Sequence, residues 1–362
     1  MASPVHKYFY SMVEISAVKF FVDHDIFRAI PHEENTSISY SELASKSGVE
    51  LSLLERFLNF LISAGTLSSP AASRVAHSAS SVIFKRDDAS RFYQHLFDYF
   101  LVSAAHWPDY FDMHGPVEPK YADRAPYGLA TGFPDKTLYE ILDARPKKAA
   151  AFNAAMALAV AEMPATGTYD FRWVAEHVRN SEEQAGSGGD RRVILVDVGG
   201  GQGQILKSIL EKNPEIPPNR CVLEDQSNEA VHADVDGVMS SVERQVTSFF
   251  HEQPVKGAIV YQVRRVLNDW PDEACTTILR HLREACAPDS RVLVAENLIS
   301  NQASGSIEHC ALDLFMMNFG GKRRTQDAYA LLAERAGFRV ETVAKDEKSN
   351  FAVLELVPVD AP

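Results

Sequence analysis

The sequence is poor in cysteine, and none of its four cysteines in 362 residues has a metal-site spacing. Cys221, Cys275, Cys286 and Cys310 form no Cys-x-x-Cys pair, the pattern that most structural zinc sites require. Isolated cysteines are typical of free thiols in a reducing compartment. We therefore expect a cytoplasmic protein with reduced cysteines and no bound metal.

Positive charge is also scarce, with 36 Lys and Arg against 49 Asp and Glu and a net charge of −13. Nucleic-acid binding needs clustered Lys and Arg that neutralise phosphates, so we expect no nucleic-acid partner. No apolar run approaches the length of a membrane span, and the N-terminal segment carries His, Lys and Glu where a secretory signal needs an apolar core. The sequence predicts neither a membrane segment nor secretion.

Regular apolar spacing predicts helices in the first part of the chain. Apolar residues recur every three or four positions within residues 1–30: Ile15, Val18, Val22 and Ile26. A short helix capped by Ser39 or Ser41, a helix over Leu51–Ala64 and a Ser-rich hairpin are predicted next. This order is typical of a winged helix, although the Arg and Lys excess of a DNA-binding one is missing. We expect residues 1–165 to form a helical, winged-helix-like domain for dimerisation or for covering the substrate.

From residue 193 the pattern alternates between apolar strands and helices. The predicted strands are Val193–Val198, Arg220–Glu224, Gly257–Tyr261, Arg291–Asn297 and Phe351–Val357. The predicted helices lie near Gln204–Lys212, Asn228–Val235, Asp272–Ala287 and Gln326–Ala336. This alternation is typical of an α/β fold with a parallel, doubly wound sheet, which we expect over residues 166–362.

A glycine-rich loop follows the first of these strands. The segment Gly199–Gly203 reads GGGQG, with Asp197 just before it and a helix just after it. Glycines in this position let the backbone turn tightly and approach a ligand. The next strand leads to Asp225, whose carboxylate suits ribose hydroxyls. The order of strand, loop, helix and acidic residue favours a nucleotide-type cofactor over a plain tight turn.

Five segments together resemble one enzyme family. They are VDVGGGQG, VLEDQ, VRRVLNDWPDEAC, VLVAENLI and LDLFMMNFGGKRRT, and they resemble the S-adenosylmethionine-dependent small-molecule O-methyltransferases of natural-product pathways. The resemblance covers essentially the whole chain. It implies an N-terminal all-helical dimerisation domain followed along the chain by a Rossmann-like class I methyltransferase domain. It also implies a homodimer, a small-molecule substrate, and S-adenosylmethionine or S-adenosylhomocysteine as the cofactor.

The resemblance also implies a set of cofactor contacts. Ser248 stands before Phe249 where the family often has an acidic residue facing the adenine, and Arg264 would lie near the amino-acid end of the cofactor. The implied contacts are Asp197, Gly199, Gly201, Asp225, Ser248, Phe249 and Arg264.

The chain departs from the family at the catalytic base. Family members usually read His-Asp-Trp where this chain reads Asn268-Asp269-Trp270, and the histidine deprotonates the acceptor hydroxyl. Neutral imidazole suits this role because its pKa lies near the working pH. A carboxamide donates and accepts hydrogen bonds but cannot hold a proton. The usual base is therefore missing.

A second departure follows the double glycine. The family usually reads Gly-Lys-Glu-Arg-Thr, in which the Glu orients the catalytic His, whereas this chain reads Gly321-Lys322-Arg323-Arg324-Thr325. Arg323 thus puts a permanent cation in place of a carboxylate. The other family carboxylate is kept as Glu296, and we expect Arg323 to pair with it.

These departures favour a reaction without methyl transfer. Some natural-product members of the family keep the cofactor but catalyse dehydration or pericyclic ring closure, which needs a shaped apolar cavity and hydrogen-bond donors rather than a strong base. A methyltransferase acting on an acidic enol or phenol remains the alternative, because such an acceptor ionises without help. An inactive protein and a dimeric scaffold without catalysis stay open as well.

The site residues follow from these interpretations. The predicted catalytic residues are Asn268, Arg323, Glu296, Asp269 and His106. The predicted substrate pocket, for a small polyketide-type or phenolic molecule, comprises Phe152, Met156, Met317, Asn318 and Trp107.

Overall fold

The computed structural model describes most of the chain as helices and strands. The residues that it describes are 3–33, 36–161, 169–185, 192–231, 236–299, 306–346 and 349–359. The first elements are α1 (Pro4–Asp23), α2 (Ile26–Ala29), β1 (Ile38–Ser39), α3 (Tyr40–Ser47), α4 (Leu51–Ala64), β2 (Leu67–Ser68), β3 (Arg74–His77), α5 (Asp87–Leu96), α6 (Val102–Ala104), α7 (Trp107–His114), α8 (Pro126–Thr131), α9 (Leu138–Asp143), α10 (Pro146–Ala161) and α11 (Arg172–Ala185). The later elements are β4 (Leu195–Val198), α12 (Gln204–Lys212), β5 (Cys221–Asp225), α13 (Asn228–Val231), β6 (Glu243–Val246), β7 (Val260–Arg264), α14 (Asp272–Ala285), β8 (Arg291–Asn297), α15 (Ile307–Met317), α16 (Gln326–Arg335), β9 (Phe338–Lys345) and β10 (Phe351–Pro358).

The chain divides into two compact units. The first comprises residues 1–102 and 145–158, and the second comprises residues 103–144 and 159–362. In the described part of the chain, no helix is both long and apolar enough to span a membrane.

The first unit has a winged-helix-like arrangement. Ser39 caps α3, because its hydroxyl accepts the N–H of Glu42 while the Glu42 carboxylate accepts the N–H of Ser39. Gly48 and Gly65 end α3 and α4 in the left-handed conformation. Strands β1, β3 and β2 then form a small antiparallel sheet. The predicted helices and hairpin are thus confirmed, with Ser39 as the cap.

The second unit is built on a seven-stranded sheet in the order β6-β5-β4-β7-β8-β10-β9. Strands β6 to β8 pair in parallel, whereas β10 lies antiparallel to both β8 and β9. The α/β prediction is confirmed, but the purely parallel sheet was wrong. Its last two strands follow each other directly in the chain, so they pair as a hairpin-like antiparallel edge.

Two edge strands were missed, and one strand was misplaced. Strands β6 and β9 are exposed or only partly buried at most positions and carry charged residues, so they lack the apolar run of a buried strand. The strand predicted over Gly257–Tyr261 lies at Val260–Arg264 instead. Its polar residues Gln262 and Arg264 are buried because β4 and β8 flank it on both sides.

Candidate active site

The glycine loop after β4 is shaped by close packing. Gly199 and Gly201 have φ angles of 68° and 58°, in the left-handed region that side chains rarely adopt. A Cβ atom at Gly200 would lie 2.5 Å from the Asp197 carboxylate and 2.6 Å from Leu223 Cδ1. The loop therefore follows a path that only glycine allows at these positions.

Two carboxylates flank this loop. Asp225, at the end of β5, accepts the backbone N–H groups of Gly201 and Ser227, each at 2.9 Å. Asp197 is 1 % exposed and accepts the Gln262 amide at 3.2 Å through Oδ1, while its buried Oδ2 has no hydrogen-bond partner. Burial raises the Asp197 pKa to about 6. An unpartnered acceptor beside a glycine loop suits a ligand that brings hydrogen-bond donors.

The remaining predicted cofactor residues are Arg264, Ser248 and Phe249. Arg264 ends β7 and is buried, and burial lowers its pKa to about 10. Ser248 and Phe249 line a small pocket with Glu224, which sequence reasoning missed. Glu224 precedes Asp225 in the chain, accepts the Gln253 amide at 2.8 Å, and has a pKa that burial raises to about 7.

The predicted catalytic residues Asn268, Asp269 and Glu296 lie together. Asn268 stands in a turn of 3-10 helix, Leu267–Asp269. Its backbone N–H donates to Glu296 at 3.3 Å, and its side-chain amide donates to Asp269 Oδ1 at 3.2 Å. Tyr139 donates its hydroxyl to Asp269 Oδ2 at 2.7 Å. The cluster thus joins three predicted residues with a tyrosine that the sequence gave no reason to select.

The two carboxyl groups of this cluster, Asp269 and Glu296, are weaker acids than usual. Burial raises the Asp269 pKa to about 6 and the Glu296 pKa to about 7, and the charge of Asp269 adds to the shift of Glu296. Burial therefore disfavours the charged form of both carboxyl groups.

Replacing Glu296 with glutamine is expected to stabilise the fold at alkaline pH and to change little at acid pH. The native state binds the Glu296 proton more tightly than the unfolded chain, because burial raises its pKa from 4.5 to about 7. Wild-type stability therefore falls as the pH rises between these values, and a penalty of about 3 kcal/mol persists above them. Glutamine has no charge to bury and escapes this penalty.

Urea unfolding at about pH 5 and about pH 8 measures this difference. The matched control is Glu334→Gln, because Glu334 is exposed on α16 and its replacement should change stability little at either pH. An equal gain for Glu296→Gln at both pH values would refute the penalty.

Arg323 does not form the predicted ion pair. No carboxylate of the described residues lies within 4.0 Å of its guanidinium, although the charge of Glu296 acts on it. Its backbone N–H donates to Asp313 at 2.8 Å, and its side chain is 8 % exposed. Glu296 instead accepts the backbone N–H of Asn268. The pairing was wrong because each residue is anchored elsewhere.

Arg324, which the sequence did not single out, fixes the turn that carries Asn268. It is 1 % exposed and donates to Asp272 at 2.7 Å and to the backbone oxygens of Leu267 and Trp270 at 2.9 and 2.8 Å. These hydrogen bonds from a buried arginine hold the backbone of the Leu267–Trp270 turn in place.

Asn318 is a buried residue of the second unit whose side chain connects two other residues by hydrogen bonds. It has no exposed surface, and its side-chain oxygen accepts the Trp107 indole N–H and the Ser103 hydroxyl, each at 2.8 Å. Its side-chain nitrogen is buried without a partner. His106 precedes α7, and the hydrogen bonds of Asn268, Asp269 and Glu296 do not involve it. The structure thus joins Trp107 to Asn318 but leaves His106 outside the catalytic cluster.

The remaining predicted pocket residues are Met317 in the second unit and Phe152 and Met156 in the first. Met317 lines a cavity of about 420 Å³ with Phe111, Leu314 and Lys322. Phe152 packs in the first unit, with its ring centroid 5.2 Å from that of Tyr99. The side chain of Met156 lies outside the described residues. Among the residues that the structure describes, no group of His, Cys, Asp and Glu is arranged to hold a metal.

Comparison with known proteins identifies the family. A family model described as an O-methyltransferase domain matches residues 191–339. The protein named methyltransferase fsa4, from Fusarium sp. (strain FN080326), is 48% identical over 360 residues, which cover 99% of this chain and 96% of that protein.

Solved structures share the fold. OxaC in complex with S-adenosylhomocysteine (SAH) and oxaline has a TM-score of 0.83 at 22% identity, covering 97% of this chain and 86% of that one. LepI in complex with S-adenosylmethionine (SAM) has a TM-score of 0.75 at 20% identity, covering 99% and 90%. The family uses S-adenosylmethionine. The chain therefore belongs to the S-adenosylmethionine-dependent O-methyltransferase family, as the resemblance in its sequence predicts.

Proposed function

We propose that the protein is a methyltransferase that modifies a small, natural-product-type acceptor which is already ionised when it binds. The observation that carries this proposal is Asn268, which is buried between Asp269 and Glu296 and cannot hold a proton. The sequence alone favours a non-methylating reaction. The 48% identical relative is named a methyltransferase, and this gives methyl transfer the stronger support.

The residues of the glycine loop fit the cofactor. Gly199 and Gly201 would let the backbone approach it, Asp225 would accept from its ribose, and the unpartnered oxygen of Asp197 would accept from a donor. Arg264 would lie at its amino-acid end. When bound, S-adenosylmethionine supplies a methyl group on a positively charged sulfur.

The catalytic work of the chain is then to hold and orient the acceptor. Asn268 donates a hydrogen bond that fixes the reacting oxygen, and Arg323 supplies positive charge beside it. The cavity lined by Met317 would hold the apolar part of the acceptor. Orientation and charge replace proton abstraction in this site.

A second candidate function is dehydration or ring closure without methyl transfer. Arg323 favours it, because a buried cation and a nearby carboxamide can polarise a carbonyl without any base. LepI, whose fold this chain shares, is described as a pericyclic reaction enzyme.

The rate of SAH formation as a function of pH tests the proposal. With acceptors of differing acidity, the rate is expected to follow the ionisation of each acceptor, because the site offers no imidazole base. A single pH profile shared by all acceptors would show that an enzyme group removes the proton. No SAH with any ionised acceptor would favour the second candidate.

We further propose a homodimer in which a second copy of the chain covers α1. This helix exposes Val5, Tyr8, Phe9 and Met12, of which Tyr8 is 71% and Met12 64% exposed. Such a contiguous apolar face is typical of an association surface. The expected compartment is the cytoplasm, in keeping with the four free cysteines.

The variant Tyr8→Glu/Phe9→Glu is expected to weaken self-association, because it places two charges on this face. Light scattering on a dilution series measures the change, and about a tenfold or larger rise in the dimer dissociation constant is expected. Leu331→Glu is the matched control, since Leu331 is 60% exposed on α16. An unchanged dimer, or a monomeric wild type, would contradict the proposed interface.

A further inference from the structure

Arg265, directly after β7, has a strained backbone. Its φ angle is 54°, in the left-handed region that residues with a side chain rarely adopt. Its N–H donates to the Ala295 oxygen at 3.0 Å, which pins it to β8 before the chain turns into Leu267–Asp269. Strain of this kind persists where the surrounding structure imposes it, and it concentrates at ligand sites. The hydrogen bond thus fixes the backbone of Arg265 against β8.

Both arginines stand next to the catalytic cluster. The hydrogen bond to Ala295 places Arg265 beside the residue that precedes Glu296 on β8. Lys322, which precedes Arg323, donates its backbone N–H to the Asn268 oxygen at 2.8 Å. The chain at Arg265 and at Arg323 therefore adjoins the turn that carries Asn268, within range of electrostatic interaction with Glu296.

Neither guanidinium has an ion-pair partner. Within the described ranges, no carboxylate lies within 4.0 Å of Arg265 or Arg323, and the buried Nε of Arg323 makes no hydrogen bond. The neighbouring Arg324 shows the contrast, because it is fully bonded to Asp272 and to backbone oxygens. Arg265 is partly exposed, whereas Arg323 is buried. A buried cation without a partner is costly, so Arg323 calls for an anion that must come from outside the chain.

The nearby carboxylates do not supply it. Asp269 already accepts from Tyr139 and from the Asn268 amide, and Glu296 accepts from the Asn268 backbone. Burial raises the pKa values of Asp269 and Glu296 to about 6 and about 7. Neither carboxylate lies within 4.0 Å of the guanidinium of Arg265 or Arg323.

We propose that Arg265 and Arg323 together bind the acceptor as a delocalised oxyanion, of the kind formed by the enol of a cyclic 1,3-dicarbonyl compound. This inference rests on the proposed function and names its substrate class. The two oxygens that share the negative charge point apart from the ring, so each can accept hydrogen bonds from a different guanidinium. An acceptor of this class gives its proton to water before it binds, so the site needs no base at Asn268.

A pair of pyrones tests the binding directly. The probes are 4-hydroxy-6-methyl-2-pyrone, an ionised enol at about pH 7.5, and its 4-methoxy ether, which has the same ring without the charge. Calorimetry uses the full chain saturated with SAH. The ionised pyrone is expected to bind wild type about tenfold or more tightly than the ether, and Arg265→Gln and Arg323→Gln are each expected to weaken it about tenfold.

Two further variants separate binding from folding. Arg280→Gln, on the exposed face of α14, is the matched control and should bind the pyrone as wild type does. Arg265→Gly relieves the backbone strain, so its melting temperature should equal or exceed the wild-type value while its affinity for the pyrone falls. Loss of affinity in this variant cannot come from misfolding.

The outcomes distinguish the source of the anion. If Arg265→Gln weakens the binding of SAH itself and leaves pyrone binding unchanged, the arginine serves the carboxylate of the cofactor and the proposal is overturned. Equal affinity for the two pyrones, or no binding of the ionised one, overturns it as well. The test involves no methyl transfer. Selective oxyanion binding without any turnover would therefore refute the proposed function and leave this inference standing.

Discussion

Replacing Asn268 with histidine is expected to raise methyl transfer to a weakly acidic phenol by about 10²-fold or more. The Asn268 amide lies 3.2 Å from Asp269 Oδ1, and Tyr139 holds that carboxylate from its other side. An imidazole at this position would donate one N–H to Asp269 and leave the second nitrogen free to accept the phenol proton. The variant thus supplies the base that the natural chain lacks.

The control for this gain is an acceptor that needs no base. Methyl transfer to an ionised enol should change little in Asn268→His, and Asn268→Ala should lower it because the orienting hydrogen bond is lost. Adding Arg323→Glu to Asn268→His should raise phenol methylation further, since a carboxylate favours the charged imidazole. A folded, cofactor-binding Asn268→His protein with unchanged phenol methylation would show that Asn268 does not face the acceptor.

Replacing Gly200 with alanine is expected to weaken cofactor binding by about 10²-fold. The new Cβ atom would lie 2.5 Å from Asp197 Oδ2 and 2.6 Å from Leu223 Cδ1, much closer than van der Waals contact. The loop must move to relieve this clash, and the bond between Gly201 N–H and Asp225 moves with it. Calorimetric titration with SAH measures the loss.

Gly48→Ala is the matched control for this substitution. Gly48 also has a positive φ angle, 70°, but a Cβ atom there would meet nothing within 4 Å. The change should lower stability by about 1 kcal/mol and leave the affinity for SAH unchanged. Wild-type affinity in Gly200→Ala would mean that the loop does not hold the cofactor.

Most of the fold could be predicted from the sequence because local patterns determine it. Strand β8 has the predicted bounds Arg291–Asn297, since its apolar residues form one continuous buried run. Strand β9 escaped prediction because its exposed face carries charged residues. The start of β7 was misplaced because the burial of Gln262 depends on neighbouring strands and not on its own polarity.

The candidate site could be predicted only in part. Asn268 and Glu296 stood out because the family pattern marks their positions. Tyr139 reaches Asp269 across 130 residues of chain, and no periodicity reports such a contact. Arg265 carries no sequence signal for its left-handed backbone, which arises from the bond to β8 and the turn that follows. Long-range packing therefore sets the chemistry of this site.

Transfer of a trideuterated methyl group tests the proposed function most directly. The protein is incubated with S-adenosylmethionine labelled in this group and with an ionised cyclic 1,3-dicarbonyl acceptor, and the products are analysed by mass spectrometry. The expected result is SAH together with an acceptor that carries the labelled methyl group. Intact labelled cofactor beside an unlabelled, dehydrated or cyclised product would contradict methyl transfer and establish the second candidate function.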